Sequence, residues 1–489
     1  MKIRWPSGLV VAVVIAAPAW GAAPPPRPPN VVFILADDLG YGDIGPYGQT
    51  RIRTPRLDRM AREGTRFTQF YAGSPVCAPS RSALMTGQHT GHTYIRGNKE
   101  HPAGQEPLPD HITSVADILR ERGYATGIFG KWGLGGEGTE GVPARHGFQE
   151  FFGYYDQRRA HFYYPEYLHR NDEKVPLPNR VRAEPRSPGA GPAVVRGRYS
   201  QDAITEEALA FLHRHRADPF FLYLPVTIPH AELQAPDDAY APYLKDGRSI
   251  FPETPFAEQH YGAQAMPHAT YAAMVTRLDR DVGRVLDSLA ALGLDDDTIV
   301  FFTSDNGPSV EGGSDPAFFR SSGGLRGIKR DVYEGGIRVP MIARGPGRVP
   351  AGRTSDQVWA MWDVLPTLAE LAGAQAPAGI DGISMVPALL GKGGQRSHET
   401  LYWEFHEQGS KQAVRADRWK GVRQPMMTGR LELYDLEQDP AEAHDVAARH
   451  PDVAARLGRL MDQARVPSAI WRAPAEETAA SPRAEPPPD

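Results

Sequence analysis

The sequence predicts an α/β fold, a large mostly parallel or mixed sheet sandwiched by helices, with a small C-terminal α+β subdomain. Three observations predict it. Short runs rich in Val, Ile and Phe alternate with longer segments of helical period, the pattern of βαβ units. Four of these runs, residues 31–36, 125–129, 220–226 and 298–303, are apolar for most of their length, as strands covered on both faces should be. Past about residue 391 the rhythm changes to short strand-like pieces followed by one helix.

Taken in order, residues 1–23 read as a secretory leader. Lys2 and Arg4 precede an apolar run at residues 9–17, and the small residues after it fit an A-x-A cleavage site ending at Ala19. The run is too short to span a bilayer, which needs about 20 apolar residues, and no other stretch reaches that length. The expected location is periplasmic or secreted, without stable membrane insertion. A Pro-rich linker at residues 24–29 leads into the main α/β domain, residues 30–390. Its covering helices are expected at residues 114–122, closing on Gly123, at 201–216, with Ile204, Ala208, Leu209 and Leu212 on one side, and at 271–292, closing on Gly293. Residues 173–198 and 235–265 are rich in Pro and Gly and read as excursions over the sheet. Residues 391–466 form the subdomain, with strands near 401–405, 411–415 and 431–434 and a helix at 453–465. The tail, residues 467–489, is rich in Ala, Pro and Glu and is expected to be disordered. The chain has no internal repeat.

Lys plus Arg total 54 against 59 Asp plus Glu, a formal net charge of −5. That excludes a nucleic-acid partner held by general basic character, so any anion must be bound locally. Cys77 is the single cysteine and cannot form an internal disulfide, although an exported chain would ordinarily pair its cysteines. Taken alone, a lone cysteine is most often a small buried hydrophobe.

In open α/β sheets ligands bind beyond the carboxyl ends of the strands, and all four apolar runs end in reactive side chains. The first ends in Asp37-Asp38, the second in Lys131, the third leads to His230 and the fourth runs into Asp305-Asn306. Each motif alone would suit a turn or a helix cap. Together, three carboxylates and an amide oxygen make a hard oxygen cage suited to Ca²⁺, with Mg²⁺ as the alternative.

Cys77-Ala78-Pro79-Ser80-Arg81 follows a strand-like piece at residues 67–71 and opens a helix at residues 80–85, so Cys77 sits at a helix N-terminus, where anions are favoured. The pattern C-x-P-x-R followed by S-A-L-M-T-G resembles the signature of the sulfatase family, the formylglycine-dependent branch of the alkaline phosphatase superfamily. Other motifs fall in the family's order along nearly the whole mature chain: Asp37-Asp38-Leu39-Gly40, Gly130-Lys131-Trp132, Pro229-His230, Ser304-Asp305-Asn306-Gly307, Leu325-Arg326-Gly327-Ile328-Lys329, Tyr333-Glu334-Gly335-Gly336 and Glu432-Leu433-Tyr434-Asp435-Leu436.

The resemblance implies a sulfuric ester hydrolase in which Cys77 is converted to formylglycine by a formylglycine-generating enzyme. A serine nucleophile would be left as a sulfate ester, whereas a hydrated aldehyde carries a second hydroxyl whose collapse expels sulfate. Carried over residue by residue, the resemblance assigns Asp37, Asp38, Asp305, Asn306 and modified Cys77 to the metal, and Arg81 to holding the formylglycine. Lys131, Lys329 and His230 are assigned to the sulfate oxygens and the leaving alcohol. One position departs: the family usually has a histidine two residues after the lysine of G-K-W, and here that residue is Gly133. His161, following the aromatic run at residues 151–155, is a candidate to fill the vacated space as base. Its bland reading is an ordinary histidine among aromatic neighbours.

The expected partner is a sulfated small molecule or glycan, and Arg96, His101, Tyr155, Tyr164 and Trp403 would suit a sugar if they face the site. Two other readings share these residues. One is a formylglycine-dependent phosphonate or phosphate ester hydrolase; the other is an inactive sulfoglycan-binding homologue, to which Gly133 would point.

Overall fold

The computed structural model describes residues 1–3 and 27–476, apart from 99, 102, 103, 183, 185 and 186. The apolar run of the expected leader and the end of the expected tail lie outside the described residues. The main sheet contains β1 (Asn30–Asp37), β2 (Thr65–Tyr71), β3 (Ala125–Lys131), β4 (Glu150–Tyr154), β5 (Tyr167–Arg170), β6 (Glu173–Pro176), β7 (Phe220–Pro229), β8 (Thr298–Ser304), β9 (Arg338–Arg344) and β10 (Arg353–Ser355). Among the described residues their order is β10-β2-β9-β8-β1-β7-β3-β4-β5-β6, with an eleventh short strand, Trp359–Ala360, also on β2.

The five central strands, β8-β1-β7-β3-β4, are all parallel. They contain all four runs read from the sequence, and each residue of β1 is buried. Antiparallel pairing is confined to the flanks, where β9 joins β8 to β2 and β5 and β6 follow β4. Of these, β5 and β6 are joined by residues 171–172 alone and must run antiparallel, since a parallel neighbour needs a crossover of a dozen residues or more.

Alternate residues of β1 supply the two faces of the core. Val32, Ile34 and Ala36 pack with residues of α1 (Pro55–Arg62), α4 (Ser200–Arg214) and α5 (Pro267–Ala291). Val31, Phe33 and Leu35 pack with α2 (Cys77–Thr86), α3 (Val115–Glu121) and α6 (Val364–Leu371). The fold class is therefore as expected, helices on both faces of a mixed sheet. Helix α3 starts where the sequence signals it: Ser114 accepts from the Ala116 and Asp117 amides, and Asp117 accepts from the Ser114 amide, a capping box. No helix of the described residues is long and apolar enough to cross a membrane.

The C-terminal part is a four-stranded antiparallel meander, Leu401–Phe405, Lys411–Ala416, Trp419–Arg423 and Leu431–Asp435. Helix α7 (Pro451–Gln463) covers it through Leu457 and Met461. The strand Trp419–Arg423 was not expected, because W-K-G-V-R alternates too weakly to signal one. Beyond Pro467 the chain also packs further than its composition suggests: the Trp471 indole is buried and donates to the Tyr94 carbonyl at 2.8 Å.

A buried ionic cluster joins the meander to the main sheet. Lys420 Nζ donates to Glu334 Oε1 at 2.9 Å and lies 2.9 Å from Glu442 Oε1. The Tyr71 hydroxyl, at the end of β2, donates to Glu334 Oε2 at 2.7 Å. Removing one member of such a cluster strands the other charges out of water. Lys420→Met should therefore lower stability in urea unfolding by about 3–5 kcal/mol, the cost of breaking a buried pair; a loss below about 1 kcal/mol would show that the cluster is not holding the junction.

Candidate active site

Because β8, β1, β7 and β3 are adjacent and parallel, their carboxyl ends lie along one edge, about 4.8 Å apart from strand to strand. Register places Ala36 opposite Ser304 and Asp37 opposite Pro229. Asp37-Asp38, Asp305-Asn306, His230 and Lys131 therefore all emerge together. Adjacent strand residues normally point to opposite faces. Asp38 escapes this by adopting φ +64°, a left-handed conformation that Asp tolerates better than most residues. Both carboxylates thus reach the same cluster.

Each carboxylate meets a cation. Lys131 Nζ donates to Asp37 Oδ2 at 2.6 Å, and Lys329 Nζ donates to Asp38 Oδ2 at 2.8 Å and to Glu311 Oε2 at 3.1 Å. Arg81 donates through Nε and Nη2 to Asp305 Oδ2, at 3.2 and 2.8 Å, and through Nη1 to the Lys131 carbonyl at 2.6 Å. Its Nη2 is also 3.5 Å from Asp37 Oδ2. The guanidinium fork is directed at the carboxylates, which it holds in register.

Burial alone would raise the Asp37 carboxyl, but Lys131, His230, Arg81 and Lys329 hold it well below the usual range. Burial and the charge on Asp37 push Asp305 up. A further cation beside Asp305 would oppose that shift. Asn306 Nδ2 donates to Asp38 Oδ1 and to the Gly307 carbonyl, both at 2.8 Å. That fixes which amide atom is oxygen, and this buried Oδ1 has no hydrogen-bond partner. Three carboxylates with one free amide oxygen fit a hard divalent cation, which prefers oxygen donors and would relieve the repulsion.

Helix α2 begins at Cys77, with all ten of its residues buried. Cys77 Sγ lies 3.3 Å from Asp37 Oδ1. Burial and Asp37 push the thiol well above its ordinary range, so as cysteine it stays protonated and is a weak nucleophile. His230 joins the same cluster, with ligand atoms of Asp37, Asp38, Cys77 and His230 all within 4.8 Å of one another. Its Nδ1 faces the Ala231 carbonyl, an acceptor, so Nδ1 carries the proton and Nε2 is the acceptor 3.0 Å from Lys329 Nζ. Burial and then Lys329 lower the His230 pKa, which favours this neutral form.

His161 closes a 3₁₀ turn, Arg159–His161, and its ring stacks on His230 with centroids 4.1 Å apart and planes 22° apart. Its Nδ1 is 3.2 Å from the Tyr261 hydroxyl. Burial and the neighbouring charges of His230, Lys131 and Lys329 push its pKa well below the ordinary value. Cys77, Gln157, His161, His230, Glu311 and Lys329 line one cavity of about 190 Å³.

The space beside Gly133 is occupied differently from the expectation. Gly133 has φ +78°, and a Cβ built there would lie 3.1 Å from Gln157 Nε2 and 3.3 Å from its Cδ. Gln157, not His161, fills it, because the turn at 159–161 carries His161 away to its stack on His230.

Among the cavity residues that the motifs do not mark are Gln157, and Glu311, which accepts from both Lys329 and Arg330. Neither belongs to a motif, and the sole hint is that Gln157 shares the loop of His161. The proposed sugar platform is not formed as expected. Arg96 is buried on Glu404, Trp403 is fully buried, the Tyr155 hydroxyl donates to the Asn171 carbonyl and Tyr164 packs on Tyr199. The His101 side chain lies outside the described residues.

A family-wide sequence model described as Sulfatase matches residues 29–374, and one described as "N-sulphoglucosamine sulphohydrolase, C-terminal" matches residues 328–466. N-acetylgalactosamine-6-sulfatase of Canis lupus familiaris is 33% identical over 427 residues, covering 81% of this chain and 72% of that protein. Arylsulfatase A of Homo sapiens is 32% identical over 495 residues, covering 92% and 90%. Among solved structures, Ps i-CgsB in complex with k-i-k-neocarrahexaose is similar with a TM-score of 0.75 at 28% identity, covering 93% of this chain and 96% of that one. The chain thus belongs to the sulfatase family and is a sulfuric ester hydrolase.

Proposed function

We propose that this sulfatase cleaves sulfate monoesters on carbohydrates in the periplasm or outside the cell, with formylglycine at position 77 and Ca²⁺, or Mg²⁺ in its place, among Asp37, Asp38, Asp305, Asn306 and the modified residue 77. The observation that carries the reading is the setting of Cys77. Its thiol is buried against a carboxylate and kept protonated, a poor state for a cysteine nucleophile and no obstacle to a residue remade as an aldehyde by a formylglycine-generating enzyme. The sugar part rests on the relatives, one named for N-acetylgalactosamine and one solved with a neocarrahexaose.

The hydrated aldehyde would supply the attacking oxygen, and the cation would polarise the sulfate. Of the three ammonium hydrogens of Lys131, one goes to Asp37 and the others are free for the sulfate oxygens, whereas those of Lys329 go to Asp38, Glu311 and His230 Nε2, so it would have to exchange one of these partners to reach the sulfate. Glu311 and Asp38 hold the Lys329 charge in place, and both lysines stay protonated because neighbouring carboxylates outweigh their burial. His230 is placed to exchange a proton at Nε2 with the leaving alcohol, with Lys329 as its neighbouring donor. We assign His161, neutral and on the cavity wall, as the base for the second hydroxyl of the nucleophile.

Protein matured with the formylglycine-generating enzyme should have an intact mass about 18 Da below that of the cysteine form. It should turn over sulfated monosaccharides while leaving phosphate and phosphonate controls largely untouched; full activity in a preparation whose residue 77 is still a thiol, or preference for the phosphate controls, would refute the reading. Asp305→Ala should lose bound Ca²⁺ by elemental analysis and reduce turnover at least about a hundredfold; undiminished activity in excess chelator would speak against the metal. His161→Ala should slow release of sulfate far more than cleavage of the ester, so a burst of alcohol should precede the steady state. Linear alcohol release at an unchanged rate would place the base elsewhere.

A further inference from the structure

Gln157 is 6% exposed, yet neither Oε1 nor Nε2 of its carboxamide has a hydrogen-bond partner. A buried amide left in this state is costly, and a Leu or Met would fill the same volume without the cost. A packing role therefore explains the size of the residue and not its chemistry. Its position explains the chemistry. The Trp132 and Gly133 amides donate to the Tyr154 and Tyr155 carbonyls, both at 2.9 Å, which carries the chain past the end of β4 and brings Gln157 alongside Gly133. The absence of a side chain at Gly133 makes room for the amide, within a wall that also contains Arg81 Cδ, 3.6 Å from the same point. From there Gln157 lines the cavity shared by Cys77, His161, His230 and Lys329.

We propose that Gln157 is a binding residue of the sulfate-ester site, its Nε2 hydrogens donating to an oxygen of the sulfate group and its Oε1 accepting from a hydroxyl of the nucleophile at residue 77. This deepens the proposed function and rests on it. The two halves of the amide match what the two ligands offer: sulfate oxygens only accept, and the nucleophile's hydroxyls can donate. An amide takes up no proton in the working range. Gln157 therefore orients, while the two stacked imidazoles, His161 and His230, handle protons. Positioning and proton transfer, which one imidazole at position 133 could combine, are here divided between Gln157 and the two imidazoles.

The test uses the full-length, matured enzyme with a sulfated monosaccharide, and compares wild type with Gln157→Leu, Gln157→Met and Gln157→Glu. Inorganic sulfate serves as the competitive inhibitor, and melting temperature is measured alongside. Removing the amide should lower kcat/KM and raise the inhibition constant of sulfate, each by at least about tenfold, the worth of one charge-assisted hydrogen bond. The apolar variants should melt no lower than wild type, because an unpaired buried amide has been removed. Gln157→Glu should raise the sulfate constant further, by placing a negative charge beside an anion. Retention of kcat/KM and of the sulfate constant to within about twofold in either apolar variant would overturn the assignment. So would a lowered melting temperature in both, which would make Gln157 a packing residue. A wild-type enzyme that does not cleave sulfate esters would overturn the proposed function together with this assignment, whereas an active wild type with unaffected variants would remove this assignment alone.

Discussion

Bringing Asp37, Asp38 and Asp305 together out of water is the constraint on which the rest of this molecule depends. Like charges brought together repel strongly where the dielectric is low. The cluster persists because Arg81, Lys131 and Lys329 are delivered to it from three other segments, each at hydrogen-bond distance. The compensation is incomplete, as the raised Asp305 carboxyl and the unpartnered Asn306 oxygen both indicate. One more positive charge, offered to oxygen donors, would complete it. A centre of this kind suits a substrate that is itself an anion, because Lys131 retains donors for it and the protein's overall charge of −5 gives no help.

The fold's contribution is convergence. Four parallel neighbours end at one edge, and their continuous apolar lengths keep the sheet rigid beneath a polar cluster. Helix α2 then brings Cys77 and Arg81 to that edge as one unit, four residues and about one turn apart. The buried Lys420–Glu334–Glu442 cluster fastens the C-terminal meander to the segment that leads from Lys329 into β9. The meander thus helps hold the loop that positions Lys329, and Glu407, in the turn between its first two strands, also lines the cavity described above.

Much of this was legible because buried parallel strands announce themselves as unbroken apolar runs, and the polar residues ending them stand out by contrast. Asp37, Asp38, Lys131, His230, Asp305 and Asn306 were found in that way, and Cys77 and Arg81 by their motif. What escaped depends on chain path rather than composition. Gln157 and Glu311 are single polar residues in loops, and only the folded backbone brings them to the cavity. Arg96 and Trp403 show the converse. Both have side chains that suit a sugar, but Arg96 is tied to Glu404 and Trp403 donates its indole N–H to the Ala72 carbonyl inside the core. The placement of His161 was half legible: its loop does turn inward, but it stacks on His230 and leaves the gap at Gly133 to Gln157.

The central claim is that residue 77 and the oxygen cluster form one centre built around a modified side chain and a hard cation. A crystal structure of the matured, active enzyme grown with Ca²⁺ tests this most directly, with anomalous scattering used to identify sulfur and calcium. The account predicts oxygen in place of sulfur at residue 77, and a calcium ion held by Asp37, Asp38, Asp305 and the side-chain oxygen of Asn306. A sulfur atom at residue 77 in active crystals, or an ion bound away from these four residues, would contradict it.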